Sequence, residues 1–363
     1  MKVIFYNKLI LIIFCLCSGT HLLAQERVSK KIEKSFDFTN AGKLKLENKY
    51  GNIKINGWDQ NEIAVTIDIV VTKKDKDDAK ELLERIKPFI NKASNSLIIF
   101  LNIEEKSNNF FSRMLNKANP FDFDKGSVQI DYTIHLPLNA TVQVKNKFGD
   151  IIINDWNGKL KANLHHGDMY INNDLTDAAI EMKFGKLQTK SITYGDLQLK
   201  NSELDIETIK DLKINSNGST IAINNIANLE IYSSKDKITI KNLERVQGEL
   251  RFSNMILEQL EEDINLYMEV SDFYVNKILN RNPNIVIKQK SSELNINISD
   301  ISFDFNASLE QGLLRIPKSF KNIKNNVIDD KKRLRDITAT YGSNDLKGKF
   351  QITGKKGVII LKE

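Results

Sequence analysis

From Lys43 onward apolar and polar residues alternate in short bursts: Leu44 and Leu46, Ile53 and Ile55, then Ile63, Val65, Ile67 and Ile69. Period two sends successive side chains to opposite faces and predicts strands. Between Asp75 and Lys87 the period changes, and Ala79, Leu82, Leu83 and Ile86 fall at helical spacing. One amphipathic helix over 75–87 follows, stopped at Pro88 and burying its apolar stripe on the β structure. Strands are expected again at Leu97–Ile103, Val128–Leu136 and Thr141–Val144, with Pro137 marking a turn.

Further along, the bursts become regular. Turn residues at Gly149, Gly167, Gly185, Ser202, Gly218, Asp236, Asn254, Asp272, Ser292 and Gln311 recur every 16–20 residues. Most are followed by an apolar pair two residues apart, such as Met169 and Ile171 or Ile238 and Ile240, with a second pair before the next turn. A unit this short cannot bury its own apolar face and must stack on its neighbours. Gly, Ser, Asn and Asp interchange at the turns because each tolerates or supports left-handed backbone there. The same logic covers the strongest internal repeat, in which Asn48–Trp58 (NKYGNIKINGW) returns as Asn146–Trp156 (NKFGDIIINDW) with seven of eleven positions identical. Each copy reads as strand end, Gly turn and strand, and the tryptophans as corner fillers.

Two geometries give such a count. An antiparallel meander would make a large barrel, and a membrane barrel needs strands of roughly ten residues with aromatic girdles. Here 8% of residues are aromatic and the strands look nearer five to seven residues. A left-handed hexapeptide helix would place apolar residues every sixth position, not two apart. The expectation is an all-β, right-handed parallel β-solenoid of 16–20-residue coils, with one helix inserted near its start. Ten coils would span about 45 Å at one strand spacing each. Its open ends need covering, since a bare sheet edge pairs with other chains. After Phe320 the pattern loosens through the charged run 329–335 and returns at Ile337–Tyr341, Phe350–Ile352 and Val358–Leu361 as closing strands.

Composition adds a compartment. Residues 1–24 carry Lys2 and Lys8 without an acid, then the apolar run Leu9–Leu16, then small and polar residues. That is the layout of a secretory signal peptide, too short in its apolar run for a membrane span. Export to the periplasm or cell surface is expected, with cleavage near Ala24. Both cysteines, Cys15 and Cys17, lie in this segment, so the exported chain would hold no disulfide, zinc thiolate or Cys nucleophile. Lipidation at Cys17 competes with plain cleavage, although a lipoprotein signal wants a small residue where Leu16 stands. The division expected is a signal segment at 1–24, a polar leading segment at 25–42, N-terminal strands at 43–145, and coils at 146–363 continuous with them. Without Lys2 and Lys8 the formal charge falls from +6 to +4, with acids and bases mixed throughout, so nucleic acid is an unexpected partner.

Candidate chemistry is sparse. The unpatterned stretch 104–126 holds Phe110, Phe111, Phe121 and Phe123, which would form either a sticky contact surface or a loop folded onto the helix. Adjacent His165 and His166, with Asp168, could face one metal only if the turn at Gly167 brings them round, and a solvated pair is the simpler reading. His135 reads as structural. In a stack, the residues just after the turns form a column, Asp150, Asp168, Lys186, Glu203, Ser219 and Lys237. Its first two carboxylates would lie within about 5 Å of each other, close enough to shift a pKa or hold calcium. A solvated mixed-charge face is again the simpler alternative. No calcium repeat, phosphate loop or nucleophile elbow is present in the sequence.

The run of a secretion signal, NKYGNI, a charged helix KDDAKELLERI, a strand region DYTIHLPLNATVQVKNKFGDI and short Gly-turn repeats resembles the bacterial putative-adhesin family of domains of unknown function. The resemblance spans roughly 40–361. It implies a β-helix-like envelope protein of uncharacterised role, with no catalytic residue and no cofactor. The 104–126 stretch looks like an insertion in that pattern. Three functions stay open: a non-enzymatic scaffold or adhesin-like protein binding a protein or glycan of the envelope; a polysaccharide-cleaving β-helix using Asp150 and Asp168; and a regulatory partner in envelope stress.

Overall fold

In the computed structural model, residues 25–103, 127–343 and 347–363 are described. The chain opens with β1 (Glu26–Asp37), β2 (Lys43–Glu47), β3 (Ile53–Trp58) and β4 (Glu62–Lys73). Helix α1 (Lys76–Arg85) follows, then β5 (Ile86–Ala93), β6 (Ser96–Ile103) and β7 (Val128–Pro137). Next come β8 (Thr141–Asn146), β9 (Ile151–Asn154) and β10 (Lys159–His165), and six long strands: β11 (Met169–Lys183), β12 (Lys186–Lys200), β13 (Glu203–Asn217), β14 (Thr220–Ser234), β15 (Lys237–Arg251) and β16 (Asn254–Glu269). The last group is β17 (Asp272–Ile278), β18 (Asn284–Lys290), β19 (Glu293–Asn297), β20 (Phe303–Glu310), β21 (Leu313–Arg315), β22 (Lys321–Asp329), β23 (Leu334–Tyr341), β24 (Gly348–Lys355) and β25 (Val358–Lys362).

These strands form a long, mostly parallel sheet of stacked rungs, as a β-solenoid requires. Register gives it two faces. The first face runs β5, β6, β2, β8, β10, then the second halves of β11 to β16, then β18, β24, β20, β23 and β22. The second runs β1, β4, β7, β3, β9, the first halves of β11 to β16, then β17, β19, β25 and β21. Met169 lies beside Leu187, and Leu187 beside Leu204, so the apolar pairs superpose. One such column reads Ile53, Ile151, Met169, Leu187, Leu204, Ile221, Ile238, Met255, Phe273, Leu294 and Ile359, every member buried. Each buried side chain of this size contributes about 1.5–3 kcal/mol, so the axial stacking carries the fold. The middle strands run to fifteen residues rather than five to seven, because the corner between faces does not interrupt pairing. Register shifts at Ile171/Asp174 and Leu243/Arg245 absorb length differences between neighbouring rungs.

Rung order departs from chain order at both ends. The rung made by β2 and β3 lies between β6 with β7 on its outer side and β8 with β9 on its inner side. Likewise β24 and β25 slot between β18 with β19 and β20 with β21. The segment around Gln311 is therefore not the neighbour of the one around Ser292, as simple sequential stacking predicts. Outside these rungs the sheet turns antiparallel: β1 and β4 cover one end with α1 packed on them, and β22 with β23 cover the other.

Several expectations shift in detail. The polar stretch 25–42, expected as a leading segment, holds β1, whose Val28, Ile32 and Phe36 pack partly buried against the core. Helix α1 is capped by Asp75, which accepts from the Asp77 and Asp78 amides, and gives way at Ile86 to a strand. Pro88 lies inside β5, an edge strand where a missing N–H is tolerated. Trp156 does fill a corner, fully buried and donating to the Ala140 carbonyl at 3.0 Å. Trp58 stays partly exposed, because its strand leads into antiparallel β4, and its N–H donates to the Glu62 carbonyl.

The two copies of the eleven-residue repeat stack directly on each other, Ile53 beside Ile151 and Tyr50 bridged to Phe148. Several of the repeated residues make that contact. Asn146 donates to the carbonyls of Gly51 and Gly149, both at 2.9 Å, and buried Asn48 to those of Gly51 and Ile130. Tyr50 and Phe148 stack at 5.6 Å. Gly149 has φ of +127°, and a Cβ there would lie 2.2 Å from the Gly51 carbonyl oxygen. Asn154 donates to Asn56 at 3.1 Å.

Turn amides are closed by two successive side-chain ladders. In the first, Asp131, Asn52, Asp150 and Asp168 each accept the amide N–H of the next rung, from Asn52, Asp150, Asp168 and Lys186 at 2.7–2.8 Å. It ends at Lys186, which has no acceptor to offer. One residue earlier in the turn a second ladder then begins, in which the amides of Ser202, Ser219, Asp236, Ser253 and Ser271 each donate to the side chain one rung further on, ending at Ser292, whose own amide donates to Gln289 Oε1. The turn phase thus falls at Ser219, Ser253 and Ser271 rather than Gly218, Asn254 and Asp272. Asp236 is buried and accepts from Ser216 Oγ, Ser233 Oγ and the amides of Ser219 and Ser234.

Two substitutions test these contacts by chemical denaturation. Gly149→Ala should lower stability by about 2 kcal/mol or more, through positive φ and backbone contact, while Gly312→Ala, with no atom closer than 3.6 Å, should change little. Asp236→Ala should cost roughly 3 kcal/mol by stranding its donors, and Asp236→Ser, the residue of the neighbouring rungs, less than half of that.

Candidate functional site

The residues singled out in the sequence do not gather at one place. Phe110, Phe111, Phe121 and Phe123 lie outside the described residues. Asp150 and Asp168 sit on adjacent rungs as expected, and each spends one carboxylate oxygen on a backbone amide of the next rung. Asp168 also accepts from the Tyr170 hydroxyl at 3.2 Å, and its negative charge pushes the Tyr170 pKa up. The histidine pair separates at the turn. His165 is half-buried with no hydrogen-bond partner for Nε2, and burial, followed by Lys183, holds its pKa below the usual imidazole range. His166, at φ +56°, points the other way and is stacked between Phe148 and Phe184 at 5.2 and 4.9 Å. His135 meets Asn56 at 3.4 Å and Trp58 at 5.3 Å between ring centroids. Among the described residues no three of His, Cys, Asp and Glu come together as a metal site.

An open concavity lies elsewhere, on the first face beside the corner, with a volume of about 770 Å³. It arises from strand alternation. One outward column, Asp177, Tyr194, Asp211, Asn228, Arg245, Asp263 and Asn284, forms one wall. Two residues along, Asp196, Lys213, Glu230, Gln247 and Asn265 form the other. Between them lies the floor, Gly195, Leu212, Leu229, Val246 and Ile264, where a Cβ at Gly195 would meet Ile209 Cδ1 at 2.9 Å and Leu212 Cδ1 at 3.2 Å. The groove crosses seven rungs, hence roughly 30 Å at about 4.8 Å per strand.

Its walls are held in place. Asn228 donates to Asp211 at 2.6 Å and accepts from Arg245 Nε at 2.9 Å, while Arg245 also pairs with Glu262. On the opposite wall Lys213 donates to Glu230 at 2.8 Å. That hydrogen bond lowers the Glu230 pKa and raises that of Lys213, and Glu230 in turn raises Tyr232. Tyr194 is 49% exposed with Lys210 over its ring. Five carboxylates face two cations along the lining, so the groove carries a negative potential that opposes polyanions. The columns considered from the sequence lie on the second face and at the turn. The signal for this one was a pair of polar residues flanking an apolar one before the second apolar pair, as in Asp211-Leu212-Lys213 and Asn228-Leu229-Glu230.

No family model and no curated protein matches the chain. Among solved structures, a putative cell adhesion protein from Clostridium sporogenes is 10% identical with a TM-score of 0.20, over 92% of this chain and 99% of that one. A putative adhesin from Bacteroides fragilis is 12% identical, also at 0.20, over 92% and 97%. Scores this low leave the backbones without a common superposition, and neither structure bears on the role of this chain.

The wall contacts are exposed and should organise the groove without supporting the fold. Lys213→Met is expected to leave the thermal midpoint within about 2 °C, since an exposed ion pair contributes little; differential scanning calorimetry checks it.

Proposed function

We propose that this protein is an exported, non-enzymatic, adhesin-like scaffold of the cell envelope, in which a right-handed parallel solenoid presents the first-face groove to a glycan chain. The observation that carries the reading is the groove itself, a long open channel whose polar side chains are already fixed by Asp211–Asn228–Arg245 and Lys213–Glu230 contacts. Pre-ordered planar polar groups beside an exposed tyrosine suit hydroxyl-rich ligands, because little ordering remains to be done on binding. The excess of carboxylates favours a neutral or cationic polymer over a uronate or phosphate polymer. Export rests on the 1–24 segment, which lies outside the described residues. Among the described residues no helix is long and apolar enough to cross a membrane. The non-enzymatic character is supported by Asp150 and Asp168, each of which already gives one carboxylate oxygen to the turn ladder.

Binding of the purified protein to a panel of neutral, cationic and anionic polysaccharides tests this reading. Retention on neutral or cationic members, reduced roughly tenfold by Tyr194→Ala or Arg245→Ala and unchanged by Asp168→Asn, is the expected result. Turnover of a polysaccharide that disappears in Asp168→Asn would replace it with the hydrolytic reading, and capture of an envelope protein through the groove would replace the glycan.

A further inference from the structure

The outermost strand of the first face at the far end, β22, pairs on one edge with β23 and, among the described residues, has no strand on the other. Eight of its nine residues are exposed, among them Ile323, Val327 and Ile328 at 52%, 62% and 57%. Its sequence, KNIKNNVID, holds neither Gly nor Pro. A strand with a free edge and apolar side chains is a template for another strand, and lysines such as Lys321 and Lys324 normally discourage that pairing.

Here the lysines fit a particular partner. Set antiparallel to itself about Asn325, the strand places Lys321 opposite Asp329, Asn322 opposite Ile328, Ile323 opposite Val327, Lys324 opposite Asn326 and Asn325 opposite its own copy. Two-fold symmetry makes every unlike pair occur twice. Slipping the register by one residue one way puts Lys321 opposite Ile328, and the other way puts Lys324 opposite Val327. Opposite-charge and apolar cross-strand pairs stabilise an antiparallel ladder, and a charge facing an aliphatic side chain does not.

We propose that β22 is a self-association edge, pairing with β22 of a second copy so that the two first faces continue into each other through a two-fold axis at Asn325. The contact is closed, since each copy uses the same strand and β22 then has no free edge for a third. Register shifts at Lys321/Lys324 and Val327/Asp329 confine the regular ladder to the centre of the strand, which suits a short contact of moderate affinity. The proposal is independent of the groove and its ligand.

Sedimentation equilibrium on the full exported chain, up to about 100 µM, provides the first readout, that concentration being in the range of moderate contacts. A concentration-dependent dimer is expected. Val327→Lys should weaken it roughly tenfold or more, by opposing lysine to Ile323 twice, with an unchanged thermal midpoint because the position is exposed. A second readout uses Asn325→Cys in a chain carrying Cys15→Ser and Cys17→Ser. Mild oxidation should yield a disulfide dimer, whereas Lys331→Cys, in the hairpin turn, should not. A monomer at the highest concentration overturns the proposal, as does an open polymer, or a dimer that Val327→Lys leaves intact and Asn325→Cys does not cross-link.

Discussion

No rung of this protein can cover its own apolar side chains, and everything else in the structure follows from having to cover them with the next one. Axial stacking fixes the strand spacing. That spacing lines like residues up in columns, and each column must satisfy its own packing or hydrogen-bonding problem along the whole length. Apolar columns solve it mostly with Leu, Ile and Met, and the exceptions fall in neighbouring rungs, as where Ala178 and Gly195 adjoin or Phe350 lies beside Phe305. Turn columns solve it with oxygen, because a sharp turn leaves amides that the backbone ladder alone does not close. The change from an Asp/Asn ladder to a Ser ladder after Lys186 shows that two chemistries meet the same requirement, provided one hands over where the other runs out.

Much of this was legible in the sequence, since a column in space is a period along the chain. The apolar pairs gave parallel stacking, and the eleven-residue repeat gave two rungs that do lie in contact. The turn phase slipped by one residue at Gly218, Asn254 and Asp272, where a polar or flexible residue follows the buried Ser or precedes it. Periodicity alone does not say which of two small polar residues points inward. The β1 strand was hidden for a related reason. It lies at an end of the stack, where only Val28, Ile32 and Phe36 reach the core and the rest of the strand is free to be charged.

The groove was the least legible feature. Its residues are polar and outward, and an outward polar residue carries no periodic signature beyond that of any solvated strand. What distinguishes Asp211, Asn228 and Arg245 is that they bond to one another across rungs, a property of the assembled stack rather than of the 17-residue steps between them. The acidic pair at Asp150 and Asp168 illustrates the converse. Proximity was readable from the repeat, but the amides that occupy those oxygens belong to the turn geometry.

The displaced rungs at the two ends change how the molecule bears load. In a stack built strictly in chain order, the terminal strand is held along one edge and peels first under tension. Here β25 is hydrogen-bonded to β19 on one side and β21 on the other, and β3 likewise to β7 and β9. Pulling β25 lengthwise out of its slot must shear two ladders together, so tension applied at that strand would draw on interior strength, whereas β1, paired to β4 alone, is held along a single edge.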